Sequence, residues 1–577
     1  MDYSPHLAAT ALALPATFVA WRLLGSFLDK YFTRKFTVLH DLDKLGPQHA
    51  RSDEKRVRGT AVICGGSIAG LWSALVAADH FENVLIIEPE AWAFTEEGKS
   101  NTYDENGIYI EDSREHTRSR VAQYNAHHAF QPIALEALRK YFPSIDDEIR
   151  RANGIVCSIS DYEVNCQSHG RHFMALPRQE FPDGKQPKCF FMSRELYERL
   201  LRRLVLNYSD RIRTKIGTVT NLDADPADLM TISSVSVRLP DGDTEDIPAT
   251  LVIDCTGGTQ AGLKWLRRIA TDPMNLEGLQ RYTPSGAIPW DDLRIAYNTA
   301  QKYIRFRWHI PEEARGRLPI PGGYNNVPWM YTYFPVPGKE QKLFMFSRIE
   351  GHRIDMSFGG WGEPPLPTDL SEIPDWFRDF GKDHHKPPDW VYPFVESLME
   401  QKDKVEIATG RYPSLSWIRY EKAPYVPHNF IAIGDSVLQP NPTYGQGCSK
   451  AVIGAVALNA MLKTLPFAES TKIPPNFGRD FFIMHADKIQ VVWDGTKPTD
   501  YQFPTTIPSK GEKLSDEWLM GGLGNIVMEL AGLDKEVDAV LYKVRFFMAP
   551  QTALMTPYMM SKILLFQLRK MLGLIRS

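Results

Sequence analysis

The chain has 577 residues, 43% of them hydrophobic and 24% charged, with 66 basic residues against 70 acidic ones and a net charge of −4. That length suggests several domains or one large two-lobed enzyme with ample apolar material for a core. No Lys/Arg block offers a phosphate-binding stripe, which sets nucleic-acid partners aside. The six cysteines form neither a C-x-x-C pair nor a Cys/His cluster with zinc spacing, so the expectation is a reducing compartment and no metal.

Residues 7–21, LAATALALPATFVAW, carry no charge; Arg22 interrupts the run, which then continues to Leu28. A spanning helix needs about 20 apolar residues, so this run sits at the limit. Only Asp2 and His6 precede it, which argues against a signal peptide. Lys30, Arg34, Lys35 and Lys44 follow it, an asymmetry that would keep the body of the protein in the cytoplasm. Residues 1–58 therefore read as an apolar anchor segment or as a helix packed on the body. The protein is then membrane-associated with a cytoplasmic catalytic domain, or simply cytoplasmic.

Next comes a short apolar run, TAVIC (60–64), then GGSIAG, a helical pattern with Leu71, Leu75 and Val76, and a second apolar run, VLIIE, ending at Glu88. This is a strand–turn–helix–strand unit within about 30 residues, the context of the dinucleotide-binding fingerprint. Gly65 and Gly70 hold the outer glycine positions, Gly66 follows the first, and Ser67 stands where the middle glycine belongs. A serine is tolerable there if its φ is negative, and its hydroxyl could donate to a phosphate. The helix opening at Ile68 aims its N-terminus at the anion. A carboxylate at Glu88 would accept from a ribose hydroxyl and repel a 2′-phosphate, so the site suits FAD or NAD better than NADP.

Residues 91–130 are polar and loop-rich, and 192–206 form a helix capped by Ser193. TLVIDCTGG (250–258) is another buried strand ending in glycines. From 270 to 405 aromatic strand-like runs appear at 303–310, 329–336 and 342–349, separated by Pro/Gly stretches. They read as an antiparallel sheet forming one wall of a pocket. FIAIGD (430–435) returns to a buried strand, followed by a Pro/Gly turn and a helix from about Ser449. The expected architecture is α/β. A Rossmann-like nucleotide-binding domain (59–265 and 406–470) is interrupted by an antiparallel substrate-binding sheet domain (266–405) and followed by a helical region (471–577). In that last region Lys562, Arg569, Lys570 and Arg576 fall on one face of a helix whose remainder is apolar. Such a helix either lies in a membrane interface or caps the core with its basic face in water.

The stretch IAIGDSVLQPNPTYGQGCSKAV (431–452) resembles the Gly-Asp motif of the single-component (group A) FAD-dependent monooxygenases, the squalene-epoxidase and aromatic-hydroxylase type. Gly434, Asp435, Ser436, Pro442, Gly445 and Gly447 match its pattern. The resemblance implies that Asp435 binds the ribityl chain of FAD and that the glycine turn brings backbone N–H groups to the flavin ring, where a helix N-terminus favours reduced flavin. Ser193-Arg194-Glu195-Leu196 is similar to the family's S-R-x-x-L helix start, whose arginine, here Arg194, reaches the cofactor. Residues 118–128 resemble a segment contributing a glutamine near the flavin, here Gln123. The family's usual Asp-Gly after the strand at 250–254 is replaced by Thr256-Gly257. Flavin-dependent halogenases share that detail, but they also carry W-x-W-x-I-P, and no two of the 13 tryptophans here are spaced by two.

The resemblance covers roughly residues 60–460 and speaks to fold and cofactor. It implies that NAD(P)H reduces FAD and that one oxygen atom of O2 enters the substrate by hydroxylation or epoxidation. The aromatic sheet and apolar termini suggest a lipophilic small molecule such as a terpenoid, polyketide or prenylated phenol. The alternatives are an FAD-dependent dehydrogenase or reductase, a halogenase-like enzyme, and a non-catalytic membrane-attached flavoprotein. No side chain is singled out as catalytic.

Overall fold

The computed structural model describes residues 24–100, 102–103, 109–110, 121–158, 165–168, 171–174, 181, 184–380, 386–401, 405–465 and 472–575. The apolar run at 7–21, the segment 118–120 and Arg576 lie outside the described residues.

Five parallel strands form the nucleotide-type sheet, in the order 430–432, 251–254, 57–64, 81–88, 212–216. Their inner segments, such as Ala61–Cys64 and Leu251–Asp254, are wholly buried. Near-continuous apolar runs are what a parallel sheet covered on both faces requires. The helix Ile68–Ala78 follows the first strand directly and is buried along almost its whole length. The central place of Val57–Cys64 puts the turn after it at the carboxyl edge of the sheet, where α/β sheets bind ligands. The outer strand returns only at Phe430, so the sheet closes late in the chain.

The second sheet has seven strands, in the order 405–411, 302–309, 353–360, 342–349, 329–334, 166–168, 171–172. Pairing is antiparallel except where 329–334 runs parallel to 166–168. Side chains alternate faces along each strand. Phe306, Phe344, Phe346 and Phe358 pack with Phe377 and Phe394 of the helices Ile373–Asp379 and Val391–Met399. The opposite face carries Arg305, Arg307, Asp355 and Ser357, also buried. Two covered faces of different chemistry follow directly from the alternation in YIRFRWHI.

The C-terminal region is built from the helices Phe477–Asp494, Trp518–Ala531, Lys535–Arg545 and Pro557–Met571. The last helix buries Met559, Ile563 and Phe566. Its lysines do not simply face water. Lys562 pairs with Asp534 and Glu536, and Lys570 with Glu529. These carboxylates lie on or just after the helix Trp518–Ala531, so the two helices run antiparallel with their charges matched. What is left exposed is mainly apolar, with Leu564, Leu565, Leu568, Met571 and Leu572 beside Ser561 and Arg569. At the other end of the chain a helix over 24–36 exposes Leu24, Phe27, Leu28 and Tyr31. Its end is tied down by Lys488, whose Nζ donates to the Arg34 and Thr37 carbonyls. Among the described residues no helix is long and apolar enough to cross a membrane.

Candidate functional site

The fingerprint turn is fixed by close approaches. Gly65 has φ +116°, and a Cβ there would lie 2.5 Å from the Cys255 carbonyl oxygen. A Cβ on Gly70 would fall 1.8 Å from the Gly65 carbonyl oxygen, so the third glycine lets the helix sit against its own turn. Ser67 has φ −90° and extended geometry, which any residue adopts. Its hydroxyl is already used, because Oγ accepts from Arg194 Nη2 at 3.0 Å and donates to Glu198 Oε2 at 3.1 Å. The Gly66 N–H donates to Glu88 Oε2 at 2.8 Å, so the acidic residue at the end of the second strand also holds the turn.

Arg194 opens the helix Arg194–Leu206, which Ser193 caps by accepting from the Leu196 N–H. Burial pulls the Arg194 guanidinium down, but the Glu198 carboxylate more than reverses this. Glu198 itself is fully buried and also takes Arg202 Nη2 at 2.6 Å. The sequence patterns singled out Arg194; Glu198 and Arg202, which fix it in place, carried no motif.

The Gly-Asp turn meets the fingerprint from the other side. Gly434 has φ +78°, and a Cβ there would lie 2.7 Å from Ala69 Cβ. Asp254, at the end of its strand, holds the two turns together. It accepts from the Thr256 hydroxyl and N–H, from Gly262 N–H and from Ser436 Oγ. Burial raises its pKa, and these four donors oppose the rise. The Thr256 hydroxyl both donates to Asp254 and accepts from Ala261 N–H, and Gly257 N–H donates to Ser436 Oγ. Thr256, the departure from the family pattern, is thus built into the strand end as a cap.

Asp435 lies beyond this hub with its carboxylate partly open. Lys450 Nζ donates to its Oδ1 at 2.5 Å, and Gln123 Nε2 reaches Oδ2 at 3.5 Å. Lys450 also donates to the Leu438 carbonyl. Asn441 caps the tight turn Pro442–Tyr444, and Gly445 leaves it at φ +66°. The 18-residue helix Gly447–Thr464 then begins. A Cβ on Gly257 or Gly447 would meet nothing within 4 Å, so open space lies against both turns. Gln446 Oε1 is buried without a hydrogen-bond partner. Cys448 lies within electrostatic reach of Arg194, Asp435, Lys450 and Glu198, and burial pushes its thiol up.

A cavity of about 780 Å³ abuts this cleft, with the Pro442–Gln446 turn as part of its wall. Trp329, Phe334, Met345, Phe358 and Trp361 make it mainly apolar. His127 supplies a polar point, with Nε2 at 2.7 Å from Ser347 Oγ and Nδ1 at 3.4 Å from Ser357 Oγ. Burial lowers its pKa to about 4 and that of His128 to about 3, so both imidazoles are neutral at pH 7. Behind the wall Arg307 forks onto Asp355 at 2.6 and 2.9 Å. Asp500 ties cavity and cleft together, since its carboxylate accepts from Tyr297 Oη, Trp361 Nε1 and Asn441 Nδ2.

The fold therefore brings Gly65, Gly66, Ser67, Gly70, Glu88, Gln123, Arg194, Gly257, Gly434, Asp435, Pro442, Gly445 and Gly447 to turns around one cleft. The residues that sequence reasoning missed are Asp254, Glu198, Gln446, Lys450 and Asp500. Of these Asp254, Gln446 and Lys450 lie inside the stretches quoted as motifs.

No protein-family profile matches the sequence, and no curated protein does. Among solved structures, a flavoprotein/dehydrogenase from Cytophaga hutchinsonii aligns at 10% identity with a TM-score of 0.53, covering 89% of this chain and 100% of that one. The two share a fold. P. aeruginosa PqsL in complex with 2-aminobenzoylacetate aligns at 13% identity and TM-score 0.46, over 84% of this chain and 100% of that one. A triple mutant of the flavin-dependent brominase Bmp2 aligns at 12% identity and TM-score 0.45, over 82% and 93%.

Proposed function

We propose that this chain is an FAD-dependent monooxygenase acting on a lipophilic small molecule. The observation that carries the reading is the turn Pro442–Gln446, which follows the Gly-Asp motif in the chain and lines the apolar cavity. The chemistry of the cleft fits FAD. Glycine turns leave room for a pyrophosphate, Glu88 and Asp435 offer carboxylates to ribose and ribityl hydroxyls, and Arg194 offers a cation. Gln446 Oε1 is a buried acceptor awaiting a donor. FAD, when bound, would supply the redox chemistry and the reaction with O2.

The chain's own contribution is placement. The apolar walls exclude water, and the start of the helix at Gly447 favours negative charge beside the turn. Neutral His127, held between Ser347 and Ser357, adds a polar point to the wall without adding charge. NAD(P)H is the reductant in this reading. Membrane contact belongs to it as well, supported by the exposed apolar rows at 24–31 and 564–572.

The first test is the absorption spectrum of the purified protein, with bands of bound flavin expected and their bleaching by NADPH or NADH. Labelled O2 should then appear in the organic product. Label found only in water or peroxide would count against monooxygenation. A dehydrogenase is the second reading, favoured by the Thr256 cap in place of the family's aspartate. Substrate turnover that continues without O2 would select it.

A further inference from the structure

Two thiols meet across a strand pair that borders the cavity. The strands Ile155–Ser158 and Lys188–Phe191 are antiparallel, and Cys157 stands directly opposite Cys189. Opposed residues in such a pair have Cα atoms about 4.5–5.5 Å apart, inside the span of a disulfide. The two Sγ atoms are in contact at 3.6 Å. Cys189 is buried and lines the cavity, whereas Cys157 is half-buried.

A cation stands beside this pair. The Arg348 guanidinium acts electrostatically on Cys157, stacks on the Tyr324 ring at 5.0 Å and donates through Nη2 to the Asn325 carbonyl. Its buried Nε has no hydrogen-bond partner, and no carboxylate pairs with it among the described residues. Of the two thiols Cys157 is the more accessible, so an added oxidant meets it first. The other thiols are placed differently. Cys64, Cys255 and Cys448 are buried and burial pushes each of them up, and Cys166 is wholly buried.

We propose that Cys157 and Cys189 are a redox-active dithiol, which a hydroperoxide converts into a disulfide on the wall of the cavity. The Cys157 thiolate attacks one peroxide oxygen, the O–O bond breaks, a sulfenic acid forms and, with hydrogen peroxide, water leaves. The Cys189 thiol then attacks that sulfur, the S–S bond forms and a second water leaves. Two thiols together lose two electrons and two protons, and the peroxide is reduced to two waters. The bond staples the strand at 155–158 to the cavity-lining strand at 188–191. The proposal stands whichever reaction the cleft performs, because it requires only an added oxidant.

The test uses the full-length protein, reduced, freed of reductant, exposed to a few equivalents of hydrogen peroxide, then alkylated in denaturant and mapped by mass spectrometry. The expected result is loss of two of the six thiols, a linked Cys157–Cys189 peptide, and recovery of both thiols with dithiothreitol. In Cys189→Ser, dimedone should trap a sulfenic acid at Cys157. A map showing no linked peptide overturns the dithiol. Sulfenic acid trapped in Cys189→Ser at another cysteine and not at Cys157 overturns Cys157 as the attacking thiol.

Discussion

Asp500 shows what one buried side chain does here. Its three donors come from the strand Arg294–Tyr297, from the end of the strand at 353–360 and from the cap of the Pro442 turn. Burial lifts its pKa from the ordinary 3.8 to about 7. Between about pH 4 and 7 the folded chain then holds a proton that the unfolded chain has released. Stability contributed by this group therefore falls as pH rises through that window and levels off above it, by on the order of 4 kcal/mol in all. Asp500→Asn should flatten that part of the profile, read as the change in Tm between pH 5 and 8 relative to the wild type. Gly70→Ala is the complementary case. Its Cβ would overlap a backbone oxygen, so a loss of roughly 3 kcal/mol or more is expected in urea titration, together with loss of bound flavin. The glycines and Asp435 were legible in the sequence because close backbone approach admits few residue types. Asp500 was not, since its partners lie 59 to 203 residues away and no spacing rule connects them; Glu198 and Asp254 have local partners, but their i,i+4 ion pairs and capping bonds look the same in sequence as those of any helix or strand end.

At the scale of elements, the seven-stranded sheet owes its two faces to strict alternation. The aromatic face could be read from the sequence, whereas the ion pairs of the arginines on the other face could not, since Asp355 and Glu406 come from other strands. Arg307→Met leaves Asp355 buried without its partner and should cost roughly 3–5 kcal/mol, while Arg307→Met with Asp355→Leu should recover most of it. Urea midpoints of the two single variants and the double variant check this. The C-terminal helix teaches the converse lesson. Its lysine spacing was visible, but the acidic partners at 529–536 were not, so the face left to solvent turned out to be mainly apolar, with Arg569 among its leucines. Leu564→Ser with Leu568→Ser should leave Tm within about 2 °C yet lower co-sedimentation with anionic vesicles. Ile563→Ala, on the buried side, should cost about 2–5 kcal/mol.

Across the whole molecule, the α/β order and the return to the first sheet near 430 followed from apolar runs ending in glycines. The strands at 166–172 could not be read as part of the second sheet, because three short residues and a parallel partner at 329–334 leave no periodic trace. The late return of the outer strand has a consequence for how the chain is made. Until Phe430–Ala432 has been synthesised, Leu251–Asp254 is an open edge of valine and isoleucine with its ladder groups unpaired, a template for wrong pairing. At ordinary translation speed that interval lasts on the order of 10–30 s. The nascent chain therefore depends on chaperones over this stretch, and a chain ending at Lys422 should stay protease-sensitive in pulse proteolysis. In the proposed reading the cofactor is captured only after that edge is closed, which would make flavin uptake one of the last events in the life of the folding chain.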